Sequence, residues 1–243
     1  MASHSSRLSR PVRLGHNYYQ YNRADITSKL DLCIGIFPCS LNVKGVGSVP
    51  ALAAAGGSIS CLASAGCSAV VLDSLFFSCL LPGGSEPIFM LQGSSMVLHN
   101  MTVNGCYSGA DGGFIFAHDK ASVLVSSCVF KSMYTTGYGS VLKAAGSIAL
   151  ISESHFTNCS SANGGGVIWA TPFICTGSRD VVETEVHIES SSFVWCTSPG
   201  SGGAVLVTAD ASTLNSVALY TKSLTFLQCR TDLYGGAIFA SGQ

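Results

Sequence analysis

Aromatic rings and one cation recur in this chain at a constant offset, and that offset is what could give them a chemical use. Phe116, Lys143, Trp169, Leu206 and Phe239 each stand three residues after a recurring glycine register. They alternate with aliphatic positions on either side, so on a strand they point away from the core. Aromatic faces in a row on a flat sheet can stack on sugar rings or bury in a partner. Phe116, Trp169, Phe239 and Lys143 are therefore the candidate ligand or partner surface, for a glycan or a cell-surface protein. The competing reading is ordinary cover of the row by an insertion or a neighbouring chain.

Other reactive side chains are less organised. The six histidines, His4, His16, His99, His118, His155 and His187, show no metal-ligand spacing. Gly164-Gly165-Gly166 lacks the Lys-Ser/Thr and the helix that a phosphate loop requires. No metal, cofactor or catalytic residue is expected. Eleven cysteines are many for a reducing compartment, and the odd number leaves at least one without an internal partner. Cys79, Cys106, Cys159, Cys196 and Cys229 fall in a repeat register, while Cys33, Cys39, Cys61, Cys67, Cys128 and Cys175 do not. Cys33/Cys39 and Cys61/Cys67 share a CxxxxxC spacing that suits local disulfides. The register cysteines have two readings: buried thiols acting as small hydrophobes, or disulfides such as Cys79–Cys106 or Cys196–Cys229. Asn100-Met101-Thr102 and Asn158-Cys159-Ser160 fit the N-glycosylation acceptor pattern, relevant only to a secreted chain, and both lie beside buried anchor positions.

What must position these residues is a repeat. An apolar anchor, two residues, a cysteine and a glycine pair leading into an aliphatic strand recur six times. The anchors are Phe76, Val103, Phe130, Phe156, Phe193 and Phe226. The cysteine register holds Cys79, Cys106, Met133, Cys159, Cys196 and Cys229, at intervals of 27, 27, 26, 37 and 33 residues. The glycine register holds Gly83-Gly84, Gly112-Gly113, Gly139-Ser140, Gly165-Gly166, Gly202-Gly203 and Gly235-Gly236. Such a period marks a stacked array. Seven and five residues before the anchors stand Ala69/Val71, Met96/Leu98, Val123/Val125, Ala149/Ile151, Val186/Ile188 and Leu219/Thr221, one side of a strand of period two. From the second copy on, the second and fourth residues after the glycines are aliphatic or alanine, from Ile115/Ala117 to Ile238/Ala240; the first copy has Glu86 and Pro87 instead.

About three short strands per copy, none able to bury its own inward side chains, predict an all-β chain. Its architecture is a right-handed parallel β-helix of about seven coils. Residues 1–40 read as an irregular leader and 41–243 as the β-helix, with an insertion at 172–185 and a shorter one at 210–216. An antiparallel sandwich is disfavoured, because hairpins would reverse the order of motifs in alternate copies. The stack is expected to continue, or to be capped, beyond the last strand.

Composition agrees. Of the 243 residues, 47% are hydrophobic and only 10% charged, with 27 glycines, which suits many short strands joined by tight turns. A net charge of −1 offers no electrostatic attraction to nucleic acid. No apolar run reaches the roughly 18–20 residues of a membrane span. Met1 to Arg23 carries four arginines without an apolar stretch, so it reads as a leader, a transit-type peptide or the start of an incomplete chain, and not as a signal peptide.

Phe156-Thr157-Asn158-Cys159 followed by Gly165-Gly166-Val167-Ile168, and Gly235-Gly236-Ala237-Ile238, resemble the FxxN and GGAI repeats of chlamydial polymorphic outer membrane proteins. Those belong to the pectin-lyase-like right-handed β-helix group. The resemblance covers about residues 41–243; cysteine replaces the asparagine of the motif, Asn158 stands one residue earlier, and no membrane barrel accompanies the repeats. It implies a surface or secreted scaffold for adhesion or recognition. Polysaccharide lyases and hydrolases share this fold, and they need clustered carboxylates, with a basic residue in the lyases. Asp73, Asp111, Asp119, Glu153, Glu189 and Asp232 form no column. An enzyme would have to draw on Arg179, Asp180, Glu183 and Glu185 in the insertion. The expectation is a non-enzymatic recognition scaffold; the alternatives are a carbohydrate-active enzyme and a purely structural spacer.

Overall fold

A strand with every second side chain apolar has one face to bury, and a coil of such strands buries it by stacking on its neighbours. The structure, a computed structural model, describes residues 12–13, 18–22, 39–50, 59–62, 67–78, 85–174, 181–209 and 217–241. Side chains are described for 69–73, 85–173, 182–209 and 217–241. The chain is a right-handed parallel β-helix, as the repeat predicts. One coil runs Ser122–Ser126, Val129–Lys131, Tyr134–Thr135 and Leu142–Ala145. Each segment pairs in parallel, residue for residue, with its counterparts in the coils before and after. The coil thus has four strand segments where the sequence pattern shows three. The extra one, Tyr134–Thr135 and its equivalents, is two residues long and too short for an alternation to be visible.

The segments form four stacks. The first two merge through Cys67–Ser78, a strand long enough to pair with both Ser95–His99 and Thr102–Asn104. Cys39–Pro50 pairs in parallel with it, and Tyr18–Asn22 pairs in parallel with Ser40–Lys44. The fourth stack has seven strands, from Ile59–Leu62 to Ile238–Ser241. Ile59 follows Gly56-Gly57 at the offset by which Ile115 follows Gly112-Gly113, so this stack starts one copy earlier than the six-copy count.

The first copy is corrected by one residue. Val70 and Leu72 pair with Met96 and Leu98, and Phe77 pairs with Val103. Ala69, Val71 and Phe76 therefore do not hold the inward register, and Val70 and Leu72 are the buried pair. A slip of one residue exchanges the faces of a strand, and the adjacent phenylalanines Phe76-Phe77 left the choice open in the sequence. Downstream in the same coil Phe89 pairs with Ile115, which puts Glu86 and Pro87 at the level of Gly112 and Gly113. Gly83-Gly84 and Cys79 lie outside the described residues.

From the second to the fifth copy the other inward columns hold, while in the last copy Thr221 and Ala240 are exposed. Phe130, Phe156 and Phe193 are fully buried, and their rings stack from coil to coil at 5.3 and 4.8 Å with interplanar angles of 5° and 10°. Phe114, Val141, Val167 and Ala204, directly after the glycine register, and Ile88 at the equivalent level of the first coil form a further buried column. Two consecutive residues are buried there, Phe114 and Ile115 for example, because the chain turns into the fourth stack at that point.

Left-handed corners recur at three places in each coil from Asn100 on, and Gly93, Asp119–Lys120 and Gly146 add a fourth where the chain leaves the fourth stack. Asn100, Ser127, Glu153, Ser190 and Ser223 form the first, with φ between 48° and 55°. Gly105, Ser132, Asn158, Trp195 and Gln228 form the second, and Gly112, Gly139, Gly165, Gly202 and Gly235 the third. Glycine is needed at the third because the next strand leaves no room: a Cβ on Gly202 would lie 2.2 Å from the Val205 carbonyl oxygen. At the second corner a Cβ on Gly105 would meet nothing within 4 Å, so side chains are admitted there at the modest strain of a left-handed backbone. Buried hydroxyls satisfy the corner backbone. Ser161 donates to the Gly164 carbonyl at 2.9 Å, and the Cys128 and Ser154 amides donate to Ser154 and Ser191 at 3.1 Å each.

The insertion begins as an antiparallel ribbon, Phe173–Ile174 with Val181–Val182. It packs over Gly146, where a Cβ would lie 2.7 Å from that of Phe173. Arg179, Asp180 and Cys175 lie outside the described residues. Among the described residues no helix is long and apolar enough to cross a membrane.

Candidate ligand-binding surface

The fourth stack carries the predicted row. Met90, Phe116, Lys143, Trp169, Leu206 and Phe239 are direct cross-strand neighbours in successive coils. Strands in a sheet lie about 4.8 Å apart, so each side chain is in contact range of the next. The Lys143 ammonium lies between two rings, 4.7 Å from the Phe116 centroid and 4.2 Å from that of Trp169. It also forms an ion pair with Asp111 Oδ2 at 3.0 Å. Asp111 is held in turn, its Oδ1 accepting the backbone N–H of Tyr138 at 2.9 Å. The Tyr138 ring rests on Trp169 at 4.4 Å, and Trp169 Nε1 donates to Thr208 Oγ1 at 3.0 Å. A cation between ring faces is attracted by their quadrupoles, and partial desolvation strengthens the attraction.

Beside this core of the site the Phe116 ring lies 4.8 Å from that of His118, which in turn lies 5.2 Å from Phe173 of the insertion. His118 Nδ1 is buried without a hydrogen-bond partner. Burial pushes its imidazole below the ordinary histidine range; Asp119 opposes the effect and Lys143 adds to it. Asp119 also accepts a hydrogen bond from Gln92 Nε2 at 3.3 Å.

Phe116, Lys143 and Trp169 are thus brought into one cluster, each half-buried. Phe239 is not part of it. Leu206 intervenes and is only 4% exposed, packed against the loop at Gly164, and Phe239 instead faces Tyr234 at 5.8 Å. Reasoning from sequence missed Asp111, Tyr138 and His118. The signal for the first two was present, since Asp111 and Tyr138 stand immediately before the corner glycines Gly112 and Gly139 and so reach toward the row from consecutive coils.

A second outward row was also missed. On the first stack Val97, Leu124, Leu150, His187 and Tyr220 are aligned in successive coils. Leu124, Leu150 and Tyr220 are 38%, 43% and 53% exposed. They line a shallow groove of about 440 Å³ together with Ser152, Glu189 and Lys222. His187 stacks on Tyr220 at 4.3 Å, and its Nε2 lies 3.3 Å from Glu185 Oε2. Glu185, from the charged insertion, therefore lies beside this second row, paired with His187, and not on the aromatic row.

The cysteine column packs inside the coils. Cys159, Cys196 and Cys229 point their thiols at the carbonyls of Phe130, Phe156 and Phe193, each the anchor of the preceding coil, at 3.7, 3.7 and 3.4 Å. All three are free thiols, as is Cys128, so the Cys196–Cys229 disulfide is not formed. Hydrogen bonding with Cys159, aided by burial, pushes the Cys196 thiol up to about 12, and burial pushes Cys128 up to about 11. Cys106 differs, being disulfide-bonded. Among the described residues no three His, Cys, Asp or Glu side chains gather as metal ligands. No protein-family model matches the chain, and neither a curated protein nor a solved structure matches it.

Proposed function

We propose that this chain is a non-enzymatic recognition scaffold, a rigid β-helix segment of a surface or secreted protein that binds a glycan through the Phe116–Lys143–Trp169 strip. The observation that carries the reading is the Lys143 ammonium held between two outward ring faces. Sugar rings present C–H faces to aromatic rings and hydroxyls to a cation and a carboxylate, and the strip offers all three within one contact distance. The resemblance of the repeats to those of chlamydial polymorphic outer membrane proteins supports a surface role. The disulfide at Cys106 supports an oxidising compartment.

The test is binding of the full chain to an array of glycans, followed by titration of the best ligand against the Phe116→Ser/Trp169→Ser double variant. Each aromatic contact is worth about 0.5–1.5 kcal/mol, so removing both should weaken binding about tenfold or more. The melting curve, followed in parallel, should keep its cooperative form. Unchanged affinity in a folded double variant, or no glycan bound at all, would overturn the reading. Depolymerised glycan in the same incubation would replace it by a carbohydrate-active enzyme.

A further inference from the structure

We infer that Asn100 and Asn158 are acceptor sites for N-linked glycans. The sequence contains two Asn-X-Ser/Thr tripeptides, Asn100-Met101-Thr102 and Asn158-Cys159-Ser160. Their neighbourhood to the anchors argued for burial, and the structure reverses that. Both asparagines are exposed, whereas the middle residues Met101 and Cys159 are buried at 1% and 0%. Thr102 and Ser160, one residue further on, return to the outer side and are half-exposed. The amide and hydroxyl residues of each tripeptide thus lie outward across one buried side chain.

Both asparagines also occupy left-handed corners, with φ of 51° and 53°. Their backbone N–H groups are tied to the next coil, Asn100 to the Ser126 carbonyl at 3.0 Å and Asn158 to that of Val194 at 2.9 Å, so the side chain leaves a fixed corner. There is room for a large group at the second corner. Trp195 occupies the position equivalent to Asn158 one coil on and is 53% exposed, and at Gly105 a Cβ would meet nothing within 4 Å. The two corners flank the second stack, while the aromatic strip lies on the fourth, so glycans at either corner leave the strip uncovered.

The donor is an oligosaccharide carried on a lipid pyrophosphate. The asparagine Nδ2 forms a bond to the anomeric carbon as the bond from that carbon to the pyrophosphate oxygen breaks. The amide nitrogen loses one proton, and the lipid pyrophosphate leaves with the bonding electron pair. This inference rests on the proposed secreted or surface placement.

The experiment is translation of the full chain behind a cleavable secretory signal in the presence of microsomes, scoring only the protease-protected fraction. Two glycoforms are expected, both collapsing on treatment with an N-glycan-cleaving enzyme. Asn100→Gln and Asn158→Gln should each remove one, and the double variant both; Thr102→Ala and Ser160→Ala should act as their counterparts. A protected chain with neither asparagine modified would overturn the inference. So would modification at Asn158 that destroys the cooperative melt, since the second corner would then not have the room described. Failure of glycan binding by unmodified chain made in bacteria bears on the proposed function alone.

Discussion

Two aromatic rows run along the coil axis, one inside and one outside, built on the same inter-coil step. Inside, Phe130, Phe156, Phe193 and Phe226 stack nearly parallel at 4.8–5.3 Å, the first three fully buried. Outside, Phe116 and Trp169 stand two coils apart, and the position between them is filled by the Lys143 ammonium, 4.7 and 4.2 Å from the rings. An ammonium inside the coils would lose its hydration with no carboxylate in reach. On the outer face it keeps an ion pair with Asp111 and a side chain 15% exposed. The same stacking geometry thus serves cohesion on one parity of the strand and leaves a mixed polar and aromatic surface on the other. The inner row should therefore be read in stability and the outer row in binding.

The sharpest way to break that contrast is Phe156→Ala. Truncating a fully buried phenylalanine between two stacked neighbours is expected to cost about 3–5 kcal/mol, measured as a fall in denaturant midpoint at constant slope. If Phe156→Ala cost no more than the Phe116→Ser/Trp169→Ser pair, the division of labour between the rows would fail. Next in size is a comparison between corners. Gly202→Ala brings a Cβ to 2.2 Å from the Val205 carbonyl oxygen and should cost about 2–4 kcal/mol from strain and overpacking together. Gly105→Ala adds a methyl group to open space and should cost about 1 kcal/mol, the strain of the left-handed backbone alone. Equal costs would mean that crowding by the next strand is not what selects glycine at the third corner.

The smallest effect concerns pH. His118, beside the outer row, has its folded-state affinity for a proton lowered by burial from the ordinary histidine value of 6.5. Below that value the unfolded chain takes up the proton first, so stability falls as pH drops from about 6.5 toward the depressed folded value. His118→Gln should flatten this part of the profile of urea midpoint against pH between 7 and 5. An unchanged slope would show that the imidazole between Phe116 and Phe173 is better hydrated than its buried Nδ1 indicates.

Most of the architecture was legible in the sequence because a stacked coil repeats its own spacing. From the second copy on, the anchors, the aliphatic pairs and the corner glycines fall where counting places them. Counting failed where the pattern was locally ambiguous, at Phe76-Phe77, and where a strand of two residues carried no periodicity. The site was half legible. Phe116, Lys143 and Trp169 share an offset, but their partners Asp111 and Tyr138 come from the corners of two different coils, and only stacking brings these beside the row. Phe239 has the same offset and is separated from the row by a buried Leu206.

By itself the sequence determined parity beyond the first coil: which side of each strand from Ser95 on faces inward, where the third corner needs glycine, and that the row after it points out. Parity is a local property of an extended backbone, set by alternation alone. Exposure is not local. That Leu206 is covered while Trp169 stays half-open, that Asn100 and Asn158 stand exposed at corners with left-handed φ, and that the first coil is set one residue over, were decided by the tertiary structure. In each case the deciding atoms belong to another coil, far away in the chain, as the Trp169–Thr208 hydrogen bond across 39 residues and the Cys128–Ser154 bond across 26 illustrate.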